Sequence, residues 1–184
     1  MLSYVFWHNP AAGVNTADYE ESLCEFHRTL AAHAPEGYLR SAAFAFNGAP
    51  WLPAAAGYLD WYAVADFASL GVLNEAAVTG ARKDPHDKVA RLSGAGFGGL
   101  YRLIAGRADF RDTRFGTWLR KPDGMDYGVF REQSAALVDP ESMGLWQRQM
   151  SLGPGLEFCL LGPASVAAPE VFSPLAIELR QVWS

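Results

Sequence analysis

The succession of strand and helix patterns in this chain runs through once, stops in a charged stretch, and begins again. That restart limits the folds open to it more than any single motif does. In the first pass, residues 4–8 (Tyr-Val-Phe-Trp-His) read as a strand closed by Asn9-Pro10 and Gly13. Asn15 or Thr16 can cap the helix that follows, in which Tyr19, Leu23, Phe26, Leu30 and Ala34 recur at helical spacing until Pro35 and Gly37 stop it. Residues 38–46 read as a second strand, 47–57 as a loop, 59–66 as a third strand and 67–78 as a second helix. Asp84-Pro85 has the form of an N-cap with a first-turn proline for a short helix to Leu92, and Gly94 follows it. A fourth strand is expected over 100–105.

Residues 106–114 are charge-rich and linker-like. The pattern then restarts: a strand at 115–120, a turn at Pro122-Asp123-Gly124, and a helix from near Asp126 with Tyr127, Phe130, Leu137 and Val138 on one face. Strands at 145–152 and 156–161 flank the turn Gly153-Pro154-Gly155, and a proline-containing loop occupies 164–174. The last strand spans 175–183, where Leu175, Ile177 and Leu179 alternate with Glu178 and Arg180. Tyr4 and Trp7 are spaced like Phe115 and Trp118. The expected class is α+β: two ferredoxin-like βαββαβ units in tandem, 1–107 and 108–184, the second with its second helix shortened or lost. In the first strand Tyr4 and Phe6 lie on one parity and Val5 and Trp7 on the other, so both faces need cover. Two such sheets facing each other within one chain would form a barrel.

Composition narrows the function. Fifteen Lys+Arg against twenty Asp+Glu leave a formal charge of −5 with no basic cluster, which speaks against a nucleic-acid partner. No apolar run approaches the ~20 residues of a membrane helix. No signal-peptide pattern opens the chain, and Cys24 and Cys159 fit no metal or redox spacing, so a reduced cytoplasmic protein, monomer or homodimer, is expected. The four histidines form no HxH or HExxH motif, so no metal site is expected. Gly94-Ala95-Gly96-Phe97-Gly98-Gly99 has G-x-G-x-x-G spacing. A helix precedes it and a strand follows, the reverse of a dinucleotide fingerprint, so a turn or a close backbone approach is the better reading.

The doubled strand–helix order resembles the dimeric α+β barrel superfamily in single-chain form. Glu25-Phe26-His27-Arg28 followed by His33-Ala34-Pro35 is similar to the EthD-like branch. Val138-Asp139-Pro140 stands where the second half would need a His-Ala-Pro counterpart, so the resemblance places any site in the first half. It implies a cleft between sheet and helices for a small apolar, aromatic or lactone-like molecule, and activities such as cofactor-independent monooxygenase, isomerase or decarboxylase. A non-catalytic binding or assembly module of the same fold, and haem binding through His8, His33 or His86, are the alternatives.

The candidate catalytic residues are His33, His8 and Tyr62. His33 is a proton-transfer group or a helix-end cap, and His8 a cleft group on the face of Tyr4 and Phe6 or a polar strand end. Tyr62 would be a polar handle. Trp61, Asp66, Asn9 and Phe26 are candidates for substrate contact. Trp61 is open to a core reading, and Asp66 to a cap for the helix at Phe67. His27 and His86 read as exposed helix residues.

Overall fold

In the computed structural model, residues 1–51, 56–151 and 155–184 are described. The centre of the 47–57 loop, and Gly153 and Pro154 of the expected turn, lie outside the described residues. The first half runs β1 (Leu2–Pro10), α1 (Thr16–Ala32), β2 (Tyr38–Asn47), β3 (Ala56–Val64), α2 (Phe67–Ala77), α3 (Lys83–Leu92) and β4 (Ser93–Gly106). The second runs β5 (Phe115–Leu119), α4 (Tyr127–Ala135), β6 (Gly144–Ser151), β7 (Phe158–Gly162) and β8 (Leu175–Trp183). A 3₁₀ turn at Glu170–Phe172 stands where the first half has its later helices.

The strands close into an eight-stranded barrel in the order β1-β3-β2-β8-β5-β7-β6-β4. Each half contributes four adjacent strands in the same local order, fourth-first-third-second. The second strand of each half pairs with the fourth of the other, β2 with β8 and β6 with β4. Both seams form within one chain, so among the described residues each strand of the barrel has two neighbours and no open sheet edge is left.

Burial follows strand parity. Val5, Trp7, Phe44, Trp61, Trp118, Trp146 and Ile177 point inward and fill the barrel. The outward face of β1 and β3 is covered by α1 and its neighbours through Tyr19, Leu23, Phe26 and Leu30. α1 begins as expected: the Asn15 side chain accepts hydrogen bonds from the N–H groups of Ala17 and Asp18.

Two local expectations are corrected. α3 starts at Lys83, directly after a 3₁₀ turn at Gly80–Arg82, so Asp84 lies inside its first turn and is not its cap. Of the two readings of the glycine run 94–99, the turn is corrected, since the run is part of β4, and the close approach holds. A Cβ on Gly98 would lie 2.5 Å from the Tyr4 hydroxyl, and one on Gly96 would lie 2.6 Å from the Phe6 ring. The glycines are there because two aromatic rings of β1 lie across their strand.

Candidate functional site: a buried carboxylate beneath an aromatic cleft

Between the outer face of β1 and β3 and helices α1, α2 and α3 lies a cleft of about 680 Å³, within the ordinary range for small-molecule sites. Its walls are aromatic and aliphatic: Tyr4, Phe6, Phe26, Leu70 and Val89 among them. Of its polar groups, His8, Asp60 and Tyr62 form the floor.

The strand register builds that floor. β1 and β3 are antiparallel with Phe6 opposite Asp60 and His8 opposite Tyr58, which puts His8 diagonal to Asp60 on the same face. α1 crosses above with Tyr19 and His27 two turns apart on its buried side. Asp60, 2% exposed, lies between two histidines. His8 Nε2 is 3.2 Å from Asp60 Oδ2 and His27 Nε2 is 3.6 Å from it. Tyr62 donates its hydroxyl to Asp60 Oδ2 at 2.8 Å and stacks on the His27 ring. On the far sides, His8 Nδ1 meets the Tyr19 hydroxyl at 2.5 Å, and His27 Nδ1 meets the Ser41 hydroxyl at 2.7 Å. Ser41 in turn accepts from the Tyr38 hydroxyl.

Burial by itself would raise the Asp60 carboxyl. His8, and then His27, facing it through their Nε2 atoms, outweigh that and hold it well below the usual carboxylate range. Asp60 is therefore an anion with a countercharge at hand. Burial first, then the Asp60 charge and its hydrogen bond, pushes the Tyr62 phenol well up, so Tyr62 stays a donor. The other carboxylate oxygen, Oδ1, is buried and accepts no hydrogen bond among the described residues. A buried acceptor without a donor is costly.

Three of the seven expected site residues meet here: His8, Tyr62 and Phe26 all line the cleft. Four do not, and each has a structural reason. His33 is exposed, caps the C-terminus of α1, and turns its carbonyl to Arg82. Trp61 has the inward parity of β3 and packs inside the barrel against Tyr101 and Trp146. Asp66 is exposed and caps α2, accepting from the Ser69 N–H and hydroxyl. Asn9 bonds to the Pro10 carbonyl beside Gly94, away from the cleft lining.

Asp60, His27 and Tyr19 were missed. His27 is wholly buried, not an exposed helix residue. Its position, one residue after Phe26 and three before Leu30, continues the apolar stripe of α1. Asp60 is the single charged residue inside β3, on the same parity as Tyr62. A carboxylate in a strand that is otherwise apolar was the signal that could have found it.

The site does not fit haem. His8 engages Tyr19 and Asp60 through its two nitrogens, and His33 is outside the cleft. His86 reaches the rim, but among the described residues no Lys or Arg lines the cleft to take carboxylate side arms, and its floor holds an anion. Among the described residues, no group of three His, Cys, Asp or Glu is arranged to hold a metal. No helix there is long and apolar enough to cross a membrane.

No protein-family model matches the sequence. No curated protein matches it at a significant level. Solved structures do match the fold. A candidate monooxygenase from Lactobacillus acidophilus NCFM superposes with a TM-score of 0.59 at 9% identity, covering 98% of this chain and 94% of that one. An anthrone oxidase-like protein superposes with a TM-score of 0.54 at 10% identity, covering 98% and 93%. At such identities the likeness concerns the fold alone: this chain has the architecture of the dimeric α+β barrels, with both ferredoxin-like halves in one polypeptide.

Proposed function

We propose that the unit formed by residues 1–107 binds a small, largely apolar aromatic molecule bearing a hydroxyl or an enolisable carbonyl, and that Asp60 and His8 handle its proton without a cofactor. The observation that carries this reading is the buried, unpartnered Oδ1 of Asp60 at the floor of an aromatic cleft. A ligand donor would satisfy that atom, and the aromatic walls would hold the ring.

The chemistry follows from charge balance. When the ligand's O–H or C–H proton moves to Asp60, the carboxylate becomes neutral and the negative charge appears on the ligand. A positive charge on His8 then serves the new anion as it served the old one. Asp60 is a weak base, so the step suits molecules whose conjugate anion is delocalised over an aromatic system. Isomerisation or reaction with O₂ would start from such an anion, and decarboxylation would end by protonating it. The names of the two structural neighbours agree with this class. They set no substrate for this chain.

The low basicity of Asp60 also favours a second reading, in which the cleft binds and does not turn over. One pair of measurements separates the two. Calorimetric titration with 1-naphthol and with 1-methoxynaphthalene tests binding. The naphthol is expected to bind roughly ten- to a hundredfold tighter, the worth of a hydrogen bond to a charged acceptor, and Asp60→Asn is expected to erase most of that preference. Deuterium uptake at the methylene of anthrone, followed by NMR in D₂O, tests proton transfer. Preferential naphthol binding with no uptake above buffer would leave the binding module standing and remove the enzyme. Equal affinity for the two naphthalenes would remove the assigned role of Oδ1.

A further inference from the structure

Resting on the placement of His8 and Asp60 in the working site, we infer that Tyr19 and Ser93 are positioning residues that hold a proton on each ring nitrogen of His8, so the cleft carries a fixed imidazolium–carboxylate pair before any ligand arrives.

We read the hydrogen bonds leading to His8 from the far end of the chain, taking the Ser93 hydroxyl as donor to the Val89 carbonyl. At the C-terminus of α3 the backbone N–H of Ser93 turns to the Ala90 carbonyl, and the Ser93 hydroxyl donates to the Val89 carbonyl at 2.9 Å. A serine hydroxyl has one proton. Ser93 Oγ therefore acts only as an acceptor toward the Tyr19 hydroxyl, which lies 3.0 Å away. Tyr19 spends its own single proton on that bond, and burial above all keeps the phenol protonated, pushed up to about 12. Its oxygen then meets His8 Nδ1, 2.5 Å away, as an acceptor, so Nδ1 must carry a hydrogen.

The other nitrogen is settled by Asp60. Nε2 is 3.2 Å from Asp60 Oδ2, close enough for an ion pair though off the line of a good hydrogen bond. A bare lone pair at that distance from a buried carboxylate would be repelled, so Nε2 carries a hydrogen too.

His27 has the opposite arrangement. Tyr38 donates to Ser41, leaving the Ser41 proton for His27 Nδ1, and His27 then turns an Nε2–H toward Asp60. One histidine is charged and the other neutral. The remaining groups around His8 do not disturb this. Phe6 and Tyr58 stack on its ring, and the Tyr58 hydroxyl donates to Glu20, whose charge is matched by Arg180. The functional consequence is specificity for ligands that become anions. The countercharge is built in and need not be recruited from solvent.

The test needs no ligand. Full-length protein labelled with ¹⁵N-histidine is examined by imidazole ¹H–¹⁵N correlation at about pH 7, with the His8 signals assigned through His8→Asn. Wild type is expected to show one-bond N–H correlations on both His8 nitrogens. Ser93→Ala, which does not touch His8, frees Tyr19 to donate toward Nδ1, so the Nδ1–H correlation is lost and Nε2–H is kept. Tyr19→Phe loses it as well, and Ser93→Thr restores it. Circular dichroism confirms that each variant is folded. A single N–H on His8 in wild type, or a Ser93→Ala spectrum that keeps both, overturns the inference. If both protons are present but anthrone takes up no deuterium, the ion pair stands and the enzymatic reading falls.

Discussion

The two halves of the barrel share a strand order and differ in what lies under their helices. Trp7 and Trp118 both point into the barrel, 5.1 Å apart, and serve to align β1–β3 with β5–β7. In β1–β3 His8 is opposite Tyr58 and Phe6 is opposite Asp60. The corresponding pairs in β5–β7 are Leu119 with Phe158 and Thr117 with Leu160. At the positions where the first half places His8, Tyr58 and Asp60, the second half places Leu119, Phe158 and Leu160.

The covering elements differ in the same sense. The short turn at Glu170–Phe172 drops Phe172 onto Phe130, 4.8 Å between centroids, and Phe130 stands 4.6 Å from Phe158. That face is an apolar cluster, beside which Arg131 donates to Gln147 and Gln147 to Glu157. In the first half α2 and α3 stand off the sheet and leave the cleft. One scaffold thus carries a face that contributes stability and a face that gives up packing to hold a charged group under a cavity.

The comparison can be broken most sharply at its packed end. Phe130→Ala is expected to cost about 3–5 kcal/mol in urea unfolding, the range for a buried aromatic whose neighbours cannot collapse into the gap. Phe26→Ala, on a wall that already borders open space, should cost less than half of that. Equal losses would show that the first half is as tightly packed as the second.

Next in size is Asp60→Asn. Leaving the charge on His8 without its partner should cost about 3 kcal/mol near neutrality. The pH dependence has a fixed sign. The folded-state Asp60 carboxyl is held below its unfolded value, so its contribution is complete above the unfolded value of about 4 and is lost as pH falls below it. The gap between wild type and variant should therefore narrow under acid, as followed by unfolding midpoints across pH. A gap that widened on acidification would mean that the carboxylate is not paired as described.

A smaller effect is expected at Gly98→Ala. The new methyl meets the Tyr4 ring, which lines the cleft. The loss of stability should be about 1–3 kcal/mol, accompanied by weaker 1-naphthol binding in the same titration. His33→Ala, at an exposed helix end, should change stability by less than about 0.5 kcal/mol and leave naphthol binding unaltered. A loss of binding there would return His33 to the site.

Much of the fold was legible because strand parity and helical spacing are local. The last strand, with Leu175, Ile177 and Leu179 alternating against Glu178 and Arg180, was readable to its ends. The first helix was readable at its Asn15 cap, while its end at Ala32 comes two residues before the expected Ala34. The glycine-rich stretch misled because its reason lies on a different strand: nothing within 94–99 says that Tyr4 and Phe6 will lie across it. The site was half legible. His8, Tyr62 and Phe26 could be placed from parity and the apolar stripe. His33 drew attention through its motif, while His27, six residues earlier on the same helix, was the one turned inward.

The sequence by itself determined the elements, their doubled order and the apolar faces that had to be hidden, because each of these depends on neighbours within a few residues. Only the tertiary structure decided that Asp60 would sit between His8 and His27, with one oxygen accepting no hydrogen bond among the described residues. Those three side chains come from β3, β1 and α1, and their meeting depends on the β1–β3 register and on the angle at which α1 crosses it. A charge inside an apolar strand has no meaning until the partners that neutralise it are in place.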